Sequence, residues 1–141
     1  MGSEMCIRDR IDAMDTNGVA RGLVTLLGSK AVTAAEAHPE RFLLCSDVDP
    51  NNVMAAVQKI RDEHERYQTK AVSFFPSGCD PHVPIDDAKT YPIYATCVEL
   101  NLPVFINAGV PGPRVSDAQY VGRFDTVCYD FPDLKLSLIH I

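Results

Sequence analysis

The sequence lacks an excess of positive charge, since 13 Lys and Arg residues stand against 19 Asp and Glu, giving a formal net charge of −6 at pH 7. A surface for nucleic acid or for an anionic membrane needs clustered Lys and Arg, so we expect neither partner. No apolar run approaches the roughly 18 residues of a membrane span, and MGSEMCIRDR at the start carries charges where a signal peptide has its apolar segment. We therefore expect a cytoplasmic protein.

Cysteine spacings that bind zinc are also missing. The five cysteines are odd in number and no two have the C-x-x-C spacing, so we expect neither a zinc cluster nor a disulfide framework. Cys45, Cys97 and Cys128 fall within apolar patterns, where a reduced cysteine behaves as a small hydrophobic residue.

Strand-like apolar runs alternate with helix-like patterns along the chain. The strands are predicted to begin near residues 22, 42, 70, 103 and 135, and the later ones are about 30 residues apart, as in a repeated βαβ unit. The last predicted helix has an apolar stripe at helical spacing, formed by Tyr120, Val121, Phe124, Val127, Cys128 and Phe131. The alternation predicts an α/β protein with a parallel sheet.

Two architectures fit this alternation. One is a complete, doubly wound open sheet of five strands, which would serve as a binding module for a small molecule or a phosphate, without catalysis. A nucleotide-binding sheet of that kind has a glycine-rich first turn, and Gly28-Ser29-Lys30 matches neither of the two common glycine motifs. The other is a partial (β/α)8 TIM barrel of five to six βα units, because a whole barrel needs about 250 residues.

Four ordered segments carry a family resemblance: HPERFLLCSDVDPNN, TKAVSFFPSG, YPIYATCVELNLPVFINAGVPGPR and VCYDFPDLK. Together they resemble the amidohydrolase-related family of metal-dependent TIM-barrel hydrolases and decarboxylases. The resemblance covers about residues 11–135 and implies a barrel that is entered at its first helix and cut within its sixth strand. We assign residues 11–141 to this partial barrel domain. Residues 1–10 and 136–141 are interpreted as non-native, because MCIRDR in the first range and LSLIHI in the second resemble translated sequencing-adaptor sequence.

The resemblance implies a divalent metal, which we expect to be zinc, at the C-terminal ends of the barrel strands. Its ligands would be an H-x-H pair on the first strand, histidines on strands five and six, and an aspartate on strand eight. The first, seventh and eighth strands are not within this sequence. We therefore expect no metal in the chain itself and no activity from it.

Three residues are candidates for the site. Asn107 stands where many family members have the strand-five histidine, and asparagine is a poor zinc ligand, so Asn107 is expected to bind substrate or to hydrogen-bond the following loop. His140 has the family's spacing for the strand-six metal ligand, although its place in LSLIHI favours coincidence. Arg114 is expected either to clamp a substrate carboxylate with two hydrogen bonds or to be a solvated surface residue. Ser73 and Phe75 are predicted to face the barrel interior, mainly as packing residues.

The resemblance implies a complete protein that is a hydrolase or a non-oxidative decarboxylase acting on a small carboxylated or cyclic compound. Its partner would be that small-molecule substrate, and a homo-oligomer is an assembly that the resemblance allows.

Overall fold

A computed structural model describes the backbone of residues 2–109 and 116–140 and the side chains of residues 6–109 and 116–137. Strands and helices alternate through this part of the chain. The elements are α1 (Gly2–Thr16), β1 (Gly22–Thr25), α2 (Ser29–Ala37), β2 (Phe42–Asp47), α3 (Val53–Tyr67), β3 (Ala71–Phe74), α4 (Tyr91–Glu99), β4 (Val104–Ala108), α5 (Phe124–Asp130) and β5 (Leu136–His140). Short 3₁₀ turns lie at Pro76–Gly78, Asp117–Gln119 and Val121–Arg123.

The five strands form one sheet, and each strand pairs in parallel with the next one along the chain, in the order β1-β2-β3-β4-β5. A doubly wound sheet reverses its strand order at a switch point, whereas a (β/α)8 barrel adds its strands in sequence. The observed order is that of a barrel segment. The prediction of an α/β, partial TIM barrel is therefore confirmed, and the open doubly wound sheet is not the fold.

The helices cover one face of this sheet, which we call the outer face. Strands β3 and β4 contribute Val72, Phe74, Val104 and Ile106 to it, and each is at most 1% exposed. These side chains pack in one core cluster with helix residues that include Ile60, Ile93, Tyr94 and Cys97. Full burial of an aliphatic or aromatic side chain stabilises a fold by about 1.5–3 kcal/mol, so this layer supplies much of the chain's stability.

Side chains alternate between the two faces of a strand, so the neighbours of the outer-face residues lie on the opposite face. This inner face includes Leu23, Thr25, Leu43, Cys45, Asp47, Ala71, Ser73, Phe105, Asn107 and Ser137, with Phe75 directly after β3. It is less buried than the outer face, since Ser73, Phe105 and Asn107 are half-buried and Leu23 and Phe75 are each 41% exposed. In a closed barrel the equivalent side chains fill the interior.

Helix α5 is shorter than its apolar stripe predicted. Phe124 and Val127 are buried as expected, but Tyr120 is 63% exposed and Val121 is 45% exposed. The chain from Asp117 to Arg123 forms two single 3₁₀ turns, so the 3.6-residue period does not apply there. Cys128 is exposed, so its predicted role as a small core residue was wrong, while Cys45 and Cys97 are buried as predicted.

Among the helices that the structure describes, none combines the length and the apolar character that a membrane crossing requires.

Candidate active face

All five parallel strands end at the same edge of the sheet, which is the edge where TIM-barrel enzymes carry their active groups. Three polar side chains on β2, β3 and β4 lie near this edge on the inner face. Asp47 is the last residue of β2 and pairs in register with Ser73 on β3, while Asn107 is the second-to-last residue of β4. We call Asp47, Ser73 and Asn107 the polar row.

Asp47 has the best-defined surroundings of the three. The hydroxyl of Ser73 donates to Oδ1 of Asp47 over 3.4 Å, and Nζ of Lys59 donates to the backbone carbonyl of Asp47 over 2.5 Å. Burial raises the pKa of the Asp47 carboxyl above its usual value, and the Lys59 charge and the Ser73 hydrogen bond oppose this rise. A carboxyl that keeps its proton more readily than a free aspartate can donate as well as accept a hydrogen bond.

Asn107 is half-buried on the inner face, and its partner in the β4–β5 register is Ile139. Its side-chain amide has a carbonyl oxygen that accepts hydrogen bonds and an NH₂ group that donates them. It can therefore bind a substrate hydroxyl, which donates, or a substrate carbonyl or carboxylate oxygen, which accepts. The alternative interpretation, a hydrogen bond to the following loop, concerns residues 110–115, which lie outside the described residues.

The loops that follow β3 and β4 are joined to each other above the polar row. Gln119, which is 1% exposed, accepts from the backbone N–H of Ser77 through Oε1 over 3.3 Å. Its backbone carbonyl accepts from the N–H of Gly109 over 3.0 Å, and Ile85 donates to the carbonyl of Ala118 over 3.2 Å. These bonds fix the rim of the active face at the end of β4, where Gly109 has a φ of 92° that favours glycine.

An ion-pair cluster strengthens the same rim. Nη1 of Arg123 lies 2.7 Å from Oδ1 of Asp86, and its guanidinium also pairs with the carboxylate of Asp117. Nε of Arg123 donates to the backbone carbonyl of Asp117 over 2.8 Å. The hydrogen bonds to both carboxylates raise the pKa of Arg123, which keeps its charge at any physiological pH. Arg123 therefore holds the Asp86 loop against the turn that carries Gln119.

A cleft of about 640 Å³ opens between the end of β2 and the turn after β3. Its lining combines carboxylates with one lysine and one thiol, from Asp47, Val48, Asp49, Lys59, Phe75, Gly78, Cys79 and Asp80. Burial and the nearby Asp49 raise the pKa of the Cys79 thiol to about 12, so it stays protonated at neutral pH and does not act as a nucleophile. The cleft can hold a small molecule, and Asp47 is one of the polar residues of its lining.

The described residues do not fit a complete catalytic metal site. No three His, Cys, Asp or Glu side chains in this part of the chain lie close enough together to hold a metal ion. A catalytic zinc site usually has three protein ligands, and Asn107 stands where one of them is expected. The backbone of His140 pairs with Ala108 rather than with Asn107. The side chain of His140 and the whole of Arg114 lie outside the described residues, so both assignments stay predictions.

A protein-family model described as amidohydrolase matches residues 10–141 of the sequence. This chain belongs to the amidohydrolase family. The match confirms the resemblance that the four sequence segments suggested, and it includes every residue of the polar row. No curated protein sequence matches this chain significantly.

Several solved structures have the same fold. An uncharacterised TIM-barrel protein from Bordetella bronchiseptica matches 90% of the chain with a TM-score of 0.76 and 23% identity. The 5-carboxyvanillate decarboxylase of Sphingomonas paucimobilis matches 92% with a TM-score of 0.69 and 17% identity. The 4-oxalomesaconate hydratase of Rhodopseudomonas palustris matches 94% with a TM-score of 0.65 and 20% identity.

The chain spans about half the length of these structures, since it covers 48%, 50% and 47% of them respectively. The strand order shows a partial barrel, and this agrees with a chain that covers about half of each whole barrel.

Two residues of this face were missed by the sequence analysis. Asp47 had a usable signal, because it is a carboxylate at the end of the apolar run FLLCSD, where a barrel strand meets its active edge. Gln119 had none, since the role of its side chain depends on a contact with Ser77, which lies 42 positions away in the sequence.

Proposed function

We propose that this amidohydrolase chain is about half of a (β/α)8 enzyme that uses a divalent metal to hydrolyse or decarboxylate a small carboxylated or cyclic compound. The observation that carries the proposal is the polar row at the active edge of a barrel segment that belongs to this family. The same proposal includes a cytoplasmic location, as expected from the sequence, and a complete protein that forms a homo-oligomer.

The similar structures favour decarboxylation within this range. They include a 2,6-dihydroxybenzoate decarboxylase in complex with 2,6-dihydroxybenzoate, and a 5-carboxyvanillate decarboxylase from Novosphingobium aromaticivorans with bound manganese. Manganese accepts carboxylate and carbonyl oxygens more readily than zinc does, and an asparagine at position 107 offers such an oxygen. A metal of this kind would polarise a substrate oxygen when bound.

In the complete enzyme, the described residues would bind and orient the substrate. Ser73 and Asn107 can donate hydrogen bonds to a carboxylate or a phenolic oxygen. Asp47, whose pKa is raised by burial, can accept from a substrate hydroxyl when ionised and donate to a substrate oxygen when protonated. The predicted clamp by Arg114 would add a positive charge that suits a carboxylated substrate.

We further propose that the 141-residue chain alone is inactive and holds no stoichiometric catalytic metal. The chain can be incubated with zinc or manganese, desalted and assayed for metal by mass spectrometry. We expect well under one metal per chain, because the expected ligands on strands one and eight are missing. One tightly bound metal per chain that is lost in the His140→Ala variant would contradict this and would make His140 a ligand.

Genomic sequence on both sides of the coding region tests the enzyme proposal. An upstream strand with an H-x-H pair and a downstream strand with an aspartate support it, whereas native stop codons at both ends would refute it. The reconstructed enzyme can then be assayed for CO₂ release from 2,6-dihydroxybenzoate and 5-carboxyvanillate with manganese or zinc. Asn107→Ala is expected to lower kcat/KM at least about tenfold. The control is Asn17→Ala, at an exposed residue just after α1.

A further inference from the structure

The cleft beside Asp47 is built from interior strands of the sheet. It opens between the end of β2 and the turn after β3, and its lining residues all lie between positions 47 and 80. Strand β2 pairs with β1 and β3, and β3 pairs with β2 and β4, so both strands have a neighbour on each side. The described residues therefore form the whole lining of this cleft, and its ligand can be sought with the chain itself.

The carboxylate of Asp47 offers this cleft a hydrogen-bond acceptor. Its Oδ1 accepts from the hydroxyl of Ser73 over 3.4 Å. No other hydrogen bond to this carboxylate comes from the described part of the chain, and Asp47 is half-buried rather than enclosed. The thiol of Cys79 does not compete for it, because Sγ donates to the carbonyl of Phe75 over 3.3 Å. Oδ2 of Asp47 can therefore accept a hydrogen bond from a bound molecule.

The charges of the lining select the kind of group that fits beside Asp47. Asp47, Asp49 and Asp80 contribute three carboxylates, which repel a carboxylate of the ligand. These carboxylates do not lie close enough together to hold a metal ion. Lys59 is the cation of the lining, and its Nζ already lies 2.5 Å from the carbonyl of Asp47 and 3.8 Å from Oε1 of Glu63. A ligand ammonium at Asp47 would meet the charge of Lys59, whereas an uncharged hydroxyl can donate to Asp47 without that repulsion.

We propose that Asp47 accepts a hydrogen bond from a hydroxyl group of the substrate, and that Lys59 is the positioning residue that holds the end of β2 behind it. That the ligand is the substrate rests on the proposed function. Asp47 and Asn107 lie on β2 and β4, two strand spacings or about 9–10 Å apart. Side chains that stand on one face at this separation contact different groups of one molecule. A carboxylated substrate would therefore place its carboxylate towards Asn107 and its hydroxyl against Asp47.

Lys59 acts on Asp47 through the backbone and through its charge. The hydrogen bond from Nζ to the carbonyl of Asp47 joins α3 to the last residue of β2. The positive charge of Lys59 also lowers the pKa of Asp47 against the larger effect of burial, which favours the ionised form. A hydrogen bond to an ionised acceptor is roughly twice as strong as one between neutral groups. Recognition of the hydroxyl therefore depends on Lys59 as well as on Asp47.

Titration of the ¹⁵N-labelled chain with phenol, benzylamine and benzoate, followed by NMR, tests the inference. The probes share one aromatic ring and differ in carrying an uncharged donor, a cation or an anion. They are added up to about 20 mM, because ligands of this size bind in the millimolar range. We expect phenol to shift the amide signals of Asp47, Ser73 and Cys79, and to bind at least about fivefold more tightly than either of the other probes.

Variants of the two residues separate their roles. Asp47→Asn should weaken phenol binding at least about fivefold, because a neutral amide oxygen is a weaker acceptor than a carboxylate. Lys59→Met should weaken phenol binding and raise the pKa of Asp47, measured by ¹³C NMR of its carboxyl carbon, and Lys59→Arg should restore both. Asp62→Asn and Lys70→Met make the same chemical changes at exposed residues outside the cleft and should change neither. The dispersion of the same spectra shows whether each variant is folded.

Several results would overturn the inference. Benzoate or benzylamine that binds as tightly as phenol would refute the selection of a hydroxyl. Absence of phenol binding, or binding that Asp47→Asn leaves unchanged, would refute the role of Asp47. A Lys59→Arg variant that restores neither property would refute the positioning role of Lys59. These titrations need neither metal nor turnover, so the proposed enzyme activity can fail while the cleft still binds phenol, and the reverse.

Discussion

The buried carbonyl of Ile85 offers a sharp test of how the loop after β3 is held on the barrel. Ile85 is fully buried, and its carbonyl accepts from the hydroxyl of Tyr94 over 2.6 Å and from Oγ1 of Thr90 over 3.0 Å. Both donors are also fully buried. No backbone N–H among the described residues donates to this carbonyl, so the two hydroxyls are its partners.

Removing either the Tyr94 or the Thr90 hydroxyl leaves the Ile85 carbonyl with a hydrogen bond from the other hydroxyl. We therefore expect Tyr94→Phe to lower the free energy of unfolding by about 1 kcal/mol, the usual value for a hydrogen bond whose acceptor stays satisfied. Thr90→Val should cost about 1–2 kcal/mol, because Oγ1 of Thr90 also lies 2.7 Å from the carbonyl of Asp87. The double variant leaves the Ile85 carbonyl buried without either partner. Its loss should exceed the sum of the single losses by at least about 1 kcal/mol.

Urea unfolding followed by circular dichroism, at one protein concentration for all variants, measures the cycle. A fixed concentration is needed because self-association would shift the apparent stability. Tyr129→Phe removes a hydroxyl from a residue that is 86% exposed, and as the control it should change the free energy by less than about 0.5 kcal/mol. Losses that add to within about 0.3 kcal/mol would refute the reasoning, since they would show that the two hydroxyls do not share this acceptor.

Two further predictions concern titratable groups. Burial raises the pKa of Cys45 to about 11 and that of Cys97 to about 12. At pH 8 both thiols should therefore react with Ellman's reagent only after unfolding, whereas the exposed Cys128 should react at once. Equal reaction rates for all thiols in the native protein would contradict the burial of Cys45 and Cys97. Because folding raises the pKa of Asp47, its ionised form disfavours the folded state, and stability is lost as the pH rises from the unfolded pKa through the folded one. Asp47→Asn should therefore stabilise the chain in urea at pH 7 and lose this effect towards pH 4, and a destabilised variant at pH 7 would show that the attraction of the Lys59 charge for the Asp47 carboxylate outweighs the cost of burial.

The order of elements could be predicted from the sequence because it depends on local signals. Apolar runs about 30 residues apart, separated by helix-like patterns, indicate βαβ units in any parallel α/β protein. The choice between an open sheet and a barrel was harder, because both begin with the same repeated unit. The family resemblance decided it, and the sequential strand order confirmed the choice.

The parts that could not be predicted depend on register and on loop conformation. Asp47 and Ser73 are 26 positions apart, and only the β2–β3 register places one beside the other. The two 3₁₀ turns before α5 interrupt a stripe that reads as one continuous helix, because apolar spacing does not reveal where the backbone tightens. Gln119 is positioned by those turns, so its contact with Ser77 was equally hidden.

In this partial barrel, the residues that stabilise the fold are different from those that could take part in a reaction. The main core cluster draws on residues from Val48 to Val127, which belong to elements that follow one another along the chain. Each βα unit packs on the next, so this layer forms without the absent strands. The active edge is different, because a barrel assembles its catalytic groups from the ends of several strands around the whole ring. Asp47, Ser73 and Asn107 come from three neighbouring strands and supply only one side of such a ring. The described part of the barrel therefore has a well-packed helix-facing core, while its polar row comes from three neighbouring strands.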